Sequence, residues 1–420
     1  MPEDEETPMK TVLLRLSGFT VLPLLSLITP FLLLPIVSAI VGGDGVSSVI
    51  SGQAIGTFAA TALMWGWNVD GPVLIARATT PEERATVYLR SVRTRIVLLV
   101  FALPIASVIA AFVAVPEFRV EAVSMALATA LVGMSPAWFC IGLGQPRLLA
   151  FYDTIPRFLA TVVSVPLLLA TQQVWNYTIV LAAATGVSLV LFHRRFSRGG
   201  VWLPTPLGAA LRDLRSQGHT AGISMAGSAY ASTPAPIATA TTSPVASGSL
   251  STADTLYRFG LFTVVALGNA LQSWTIEPGI ANRRQRHAFA LWSHIGLGAA
   301  GLVILVLAGP WVSEILFAGQ ARATVEVCLY YGIAFFFLSV GTPLMRNVLI
   351  PAGRQRLILR WTLVSAVLGI GAMLAAGLSG HAALIALGMA LSEAVLCAAL
   401  AVPAFRELRR ENQNEESHVD

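Results

Sequence analysis

Residues 96–115, the uncharged part of an apolar run over 94–115, read IVLLVFALPIASVIAAFVAV, with one hydroxyl, Ser107. At 1.5 Å rise per residue, a helix of about 20 such residues covers the ~30 Å hydrocarbon core of a bilayer. A strand crossing a membrane would instead alternate polar and apolar residues. Working outward, similar runs recur at 14–40, 47–69, 121–143, 148–170 and 174–192, then at 219–242, 247–275, 288–309, 324–347, 356–377 and 380–404. The fold class expected is therefore all-α integral membrane, with about 12 transmembrane helices.

The composition of the 420-residue chain agrees: 55% is hydrophobic, 12% is charged, and mean hydropathy is +0.72. Soluble domains carry about twice that charge fraction. The net charge of +5 would suit nucleic acid, but the basic residues stand in short blocks between apolar runs, so topology explains them. The first run is far longer than the ~7–15 residues of a signal peptide's apolar region, and Glu3-Asp4-Glu5-Glu6 before it is acidic, so it reads as an uncleaved helix. Cys140, Cys328 and Cys397 lie in or near apolar runs without ligand or disulfide spacing, and packing is their expected role.

With both termini placed in the cytoplasm, 23 of the 27 basic residues fall on that side. Only Arg119 and Arg322 fall outside, and Arg157 and Arg258 lie within runs. Such a bias is what the positive-inside rule predicts for one orientation. A miscounted helix would swap the later loops and erase it. The expected domains are an N-lobe over 1–193, a basic cytoplasmic connector over 194–218, a C-lobe over 219–405 and a disordered tail over 406–420. The halves echo one another: Trp67-Asn68-Val69-Asp70-Gly71-Pro72 leads to Arg77, and Trp274-Thr275-Ile276-Glu277-Pro278 leads to Arg283. This supports two parallel six-helix repeats.

Ionisable groups inside apolar runs are expensive and usually face a bundle interior or a wet cavity. Tyr152-Asp153-Thr154-Ile155-Pro156-Arg157 and Asp254-Thr255-Leu256-Tyr257-Arg258 each place an acid four residues before an arginine, so both share one helix face. Arg157 and Arg258 offer guanidinium forks suited to an anion, phosphate above all, with Asp153 and Asp254 holding them and Tyr152 and Tyr257 alongside. The competing reading is a self-neutralised ion pair within each helix. Glu393, deep in the last run, suits ion coupling or a protonated structural role. Asp70 and Glu277, with Trp67 and Trp274, stand at the expected cytoplasmic ends as gate or interface residues, the tryptophans fitting an interfacial aromatic belt. Gly296-Leu297-Gly298-Ala299-Ala300-Gly301 spells a dinucleotide fingerprint, but no strand precedes it, and close helix packing explains it better. No nucleophile triad, paired catalytic acids or metal cluster stands out, so no enzyme activity, cofactor or metal is expected.

The order of several motifs resembles the polysaccharide (oligosaccharidyl-lipid) flippases of the multidrug/oligosaccharidyl-lipid/polysaccharide exporter superfamily, of the O-antigen or capsule repeat-unit type. The likeness is carried by Leu27-Ile28-Thr29-Pro30-Phe31-Leu32, Gly66-Trp67-Asn68 with Ile75-Ala76-Arg77, Ser251-Thr252-Ala253-Asp254, Ile315-Leu316-Phe317-Ala318-Gly319 and Gly380-His381-Ala382-Ala383. It implies two six-helix lobes forming a V-shaped central cavity with alternating access in the cell (cytoplasmic) membrane. It also implies a lipid-linked oligosaccharide as cargo, membrane lipids as surroundings, and polysaccharide polymerase or glycosyltransferases of the same pathway as partners. The alternative on this fold is a cation-coupled exporter of drugs or small metabolites, which should favour acids over arginines in its cavity.

Overall fold

Long apolar runs satisfy their backbone only as helix when no water is at hand, and the chain folds accordingly. The computed structural model describes residues 8–200, 207–276 and 283–416, with side chains over most of 32–410. Among the described residues no strand occurs. Nine helical stretches among them are long and apolar enough to cross a membrane, and the protein is a multi-pass membrane protein. The opening run faces outward: Val100, Phe101 and Val108 are exposed, and Phe112 is 83% exposed. Such a surface is a liability in water but is at home in hydrocarbon.

The chain forms two compact units, Met1–Ser232 and Thr233–Asp420. The first contains α1 (Pro8–Met64), α2 (Trp67–Arg77), α3 (Pro81–Val113), α4 (Arg119–Leu131), α5 (Ala137–Gly142), α6 (Ile155–Thr171), α7 (Trp175–Phe196), α8 (Leu207–Ser216) and α9 (Gly218–Ser232). The second contains α10 (Pro234–Thr241), α11 (Pro244–Ile276), α12 (Arg283–Leu316), α13 (Val325–Pro343), α14 (Gln355–Leu378) and α15 (Ala382–Glu416).

Within α1, two helices join at Gly42, whose φ of 67° and ψ of 179° lie outside the helical region and favour a residue without Cβ. The second of them ends at Met64, where Trp65 (φ 43°) and Gly66 (φ 84°) turn the chain into α2. Thr80 then caps α3 with Glu83 in a reciprocal capping box.

Small residues let the helices approach closely. In the first unit a Cβ on Gly52 would lie 2.1 Å from the Ala122 carbonyl oxygen of α4. In the second, a Cβ on Gly301 would lie 2.1 Å from the Phe335 ring and one on Gly298 3.1 Å from the Phe336 Cα, both on α13. Gly298 and Gly301 thus serve helix packing, while Gly296 faces open space.

Three features depart from the sequence reading. The run 219–242 is broken at Thr233-Pro234, because proline removes a helical donor and disfavours helix at the residue before it. Its first half, α9, belongs to the first unit, where the Thr61 hydroxyl donates to Ser228 Oγ at 3.0 Å. The basic connector is tied down: Asp213 of α8 pairs with Arg90 and Arg93 of α3, and Trp65 Nε1 donates to the Leu214 carbonyl at 2.8 Å. The segment read as a disordered tail continues α15 to Glu416, and Arg354 Nη2 meets Glu407 Oε1 of that helix at 2.5 Å. Its Glu, Arg and Leu residues are good helix formers once the preceding run nucleates them.

The close α1–α4 contact yields a test. Gly52→Val should destabilise the protein by about 2 kcal/mol or more, since a backbone oxygen cannot move aside. Gly186→Ala, where no atom lies within 4 Å, should be neutral or stabilising. Thermal midpoints of the two variants in detergent check this.

Candidate functional site: two helix-borne Asp–Arg pairs

The first pair owes its geometry to Pro156. A residue at that position would normally donate its N–H to the Tyr152 carbonyl, but proline has none. The chain answers with a π-helical turn over Ala150–Thr154, in which the Ile155 N–H reaches back to the Ala150 carbonyl. The Tyr152 carbonyl so released accepts a hydrogen bond from Ser188 Oγ of α7 at 2.6 Å. Turns of this kind recur at functional sites, and here one carries Asp153 just ahead of α6.

Asp153 is buried and pairs with Arg157 Nη2, while Arg157 Nε donates to the Asp153 carbonyl at 3.3 Å. The other carboxylate oxygen of Asp153 accepts from Ser135 Oγ. That hydroxyl in turn accepts the Ala137 N–H at 3.1 Å. One turn between α4 and α5 therefore holds the carboxylate from the far side.

Arg157 keeps 32% of its side chain exposed and lines a cleft of about 160 Å³. Leu33, Leu34 and Val37 of α1, Met125 of α4, Tyr177 and Leu181 of α7 form much of its wall. Gln53, Thr129 and Thr154 add neutral polar groups, and Arg157 is the only charged lining residue among those described. The arrangement is an amphiphile's negative image: apolar walls with one cation fixed at a known point.

The second unit repeats the chemistry with different neighbours. Arg258 Nε donates to Asp254 Oδ2 at 2.7 Å. Asp254 is 1% exposed, whereas the Arg258 side chain is 31% exposed. Tyr257 stacks on Tyr331 of α13 with ring centroids 5.3 Å apart, and both rings are buried.

The other expected site residues scatter. Tyr152 leaves its cleft and joins an aromatic core with Tyr88, Phe139, Phe192 and Phe196, its ring 5.1 Å from that of Phe192. Trp67 is no belt residue: it is fully buried, donates Nε1 to Thr94 Oγ1 at 3.0 Å and stacks on Trp138 at 5.2 Å. An indole with its N–H satisfied internally gains more from burial than from the interface. Asp70 sits in the first turn of α2 beside it, half-buried. Glu393 is buried in α15, near enough to Cys397 to act on its thiol electrostatically. Glu277, the side chain of Trp274 and the side chains of residues 27–31 lie outside the described residues.

Sequence reasoning counted Arg95 among the 23 cations of the cytoplasmic side, yet it is 1% exposed. Its Nη1 donates to the carbonyls of Gly133 (3.3 Å) and Ser135 (3.0 Å), and its guanidinium stands 5.9 Å from the Trp138 ring centroid. The signal was present in the spacing of Tyr88, Ser91 and Arg95, which puts all three on one face of α3 and turns Arg90 and Arg93 away.

No family model and no curated protein matches the sequence. Solved structures do match. A structure of the lipid II flippase MurJ in an inward closed conformation aligns with TM-score 0.69 over 91% of this chain and 87% of that one, at 11% identity. An outward-facing multidrug resistance MATE family transporter of the MOP superfamily aligns with TM-score 0.50 over 96% of this chain and 94% of the other, at 14% identity. The fold is theirs. At these identities the likeness speaks for architecture, and function has to come from the sites.

Breaking a buried pair leaves an uncompensated charge and costs about 3–5 kcal/mol, whereas removing both partners is often close to neutral. Asp254→Ala should therefore lower the thermal midpoint strongly, and Asp254→Ala combined with Arg258→Met should recover most of the loss.

Proposed function

We propose that the protein is an alternating-access transporter that moves a polyprenyl-pyrophosphate-linked oligosaccharide from the cytoplasmic to the outer leaflet, for surface polysaccharide synthesis. The observation that carries this reading is Arg157, one guanidinium set into an otherwise uncharged and largely apolar cleft. A lipid-linked sugar phosphate has matching parts: an anionic group for a fork of donors and a hydrocarbon chain that gains by leaving polar surroundings. Arg258 supplies a second guanidinium in the other unit. In this reading Asp153 and Asp254 keep the cations charged and aimed when cargo is absent, then share them with the phosphate. The MurJ structure supports the reading at the level of fold, its own substrate being named as lipid II.

The same reading places the protein in the cell membrane with both termini cytoplasmic, which the bias of basic residues supports. It also makes the polymerase and glycosyltransferases of the pathway its working partners.

A cation-coupled exporter is the second reading, and the observation that favours it is the buried carboxylate Glu393. Cationic cargo would meet Arg157 and Arg258, however, and the acids beside them are already engaged. Glu393→Gln separates the two: loss of drug efflux with intact surface polymer would support the exporter, and unchanged behaviour in both assays would remove Glu393 from coupling.

Deleting the gene should trap lipid-linked oligosaccharide on the cytoplasmic leaflet, seen as intermediate inaccessible to an externally added probe. Full surface polymer without trapped intermediate, in a strain lacking redundant flippases, would overturn the proposal. Arg157→Met with Asp153→Asn, and Arg258→Met with Asp254→Asn, each remove both charges of a pair so that no buried carboxylate is left alone. Each should lower transport by about tenfold or more, the scale of one charge-assisted contact, while the protein remains folded in the membrane.

A further inference from the structure

Arg95 has a chemistry that packing alone does not explain. Its guanidinium is fully buried, donates to two neutral carbonyls, lies beside one indole face and has the Tyr88 phenol as a further polar neighbour. Its Nε has no partner, and no carboxylate pairs with it among the described residues. Burying a cation against neutral acceptors costs several kcal/mol, and an apolar side chain of similar volume would often stabilise the fold more.

The carbonyls it holds identify a purpose. Gly133 and Ser135 lie in the turn between α4 and α5, the same turn whose Ser135 hydroxyl donates to Asp153. The turn is also pressed against α1, since a Cβ on Gly133 would lie 2.6 Å from the Ala60 carbonyl oxygen. Arg95 thus joins α3 to the turn, the turn joins to Asp153, and Asp153 joins to Arg157 in the cleft. The chain of contacts contains two guanidiniums and one carboxylate, so it carries a net positive charge whose accessible end is Arg157.

We propose that Arg95 is a positioning residue for an anion site at Arg157, acting through Ser135 and Asp153. By fixing the turn, Arg95 sets where the Ser135 hydroxyl stands. That hydroxyl holds one oxygen of Asp153, which keeps the other oxygen on Arg157 and directs the guanidinium to the cleft. Arg95 touches no ligand itself; its charge adds to the attraction for an anion, and its two hydrogen bonds supply the geometry. The proposal rests on the reading of Arg157 as the anion-binding group.

The test uses the full-length protein in detergent, with inorganic pyrophosphate as the probe and titration calorimetry as the readout. Arg157→Met should abolish binding; unchanged binding there would sink the anion-site reading itself. With that loss established, Arg95→Gln and Ser135→Ala should each weaken pyrophosphate binding by about tenfold, and the double variant should be no weaker than either single one, because both act through one path. Ser135→Thr, which keeps the hydroxyl, should bind within about twofold of the parent. Parent-like binding by Arg95→Gln and Ser135→Ala would overturn the positioning role alone. So would losses that multiply to about a hundredfold in the double variant, the sign of two independent structural effects. Should Arg95→Gln fail to fold, Arg95→Lys takes its place: one ammonium cannot grip both carbonyls as the fork does, so weaker binding supports the proposal and parent-like binding ends it.

Discussion

A guanidinium held one helical turn from a carboxylate, inside a surround built for hydrocarbon, is the constraint on which the described sites depend. Neither charge is affordable alone at such depth. Together they form a fixed dipole that still leaves donors for a third group. Asp153 and Arg157 show how much structure this requires. A proline sets the π turn, a serine on the next helix satisfies the carbonyl it frees, and a second serine holds the far oxygen of the carboxylate. The pair in the second unit uses the plain i,i+4 spacing of a regular helix and relies on buried tyrosines around it.

The difference between the two pairs has a physical consequence. Asp254 is sealed and Arg258 is partly open, with the neighbouring rings of Tyr257 and Tyr331 packed against each other. Arg157 opens instead onto a cleft with aliphatic walls. One unit therefore offers a partly open cation backed by sealed aromatic rings, and the other a cation beside an apolar cleft. The proposed cargo has a phosphate-bearing junction between sugars and lipid, and each setting suits part of it.

Much of the architecture was legible because it depends on local pattern. The run at 96–115 could only be a helix facing hydrocarbon, and it is one, with Phe112 left outward. The two i,i+4 pairs were readable because helical periodicity alone brings residues four apart onto one face. The glycines at 296–301 were assigned to close packing; Gly298 and Gly301 meet Phe336 and Phe335, while Gly296 faces open space. Trp67 was read at an interface and Tyr152 in a cavity, and both are core residues: an amphipathic ring on a helix fits either setting as well as a core, and only its neighbours choose. Trp138, Thr94 and Phe192 made that choice, and none is close to its partner in sequence.

The sequence by itself determined that the chain crosses a membrane in many helices, and that each half carries one acid–arginine pair on a helix face. Both follow from period and hydropathy, which act over one or two turns. Only the tertiary structure decided that Arg95 is a core residue rather than one more cation of the cytoplasmic side, and that Ser135 and Ser188 support the first pair. It also decided that Arg157 faces an apolar cleft. The first two depend on contacts between segments 18 to 40 residues apart and the third on α1, α4 and α7 meeting α6 at the cleft, where burial and hydrogen bonding between helices, not the propensity of any one of them, settle which side of a helix looks inward.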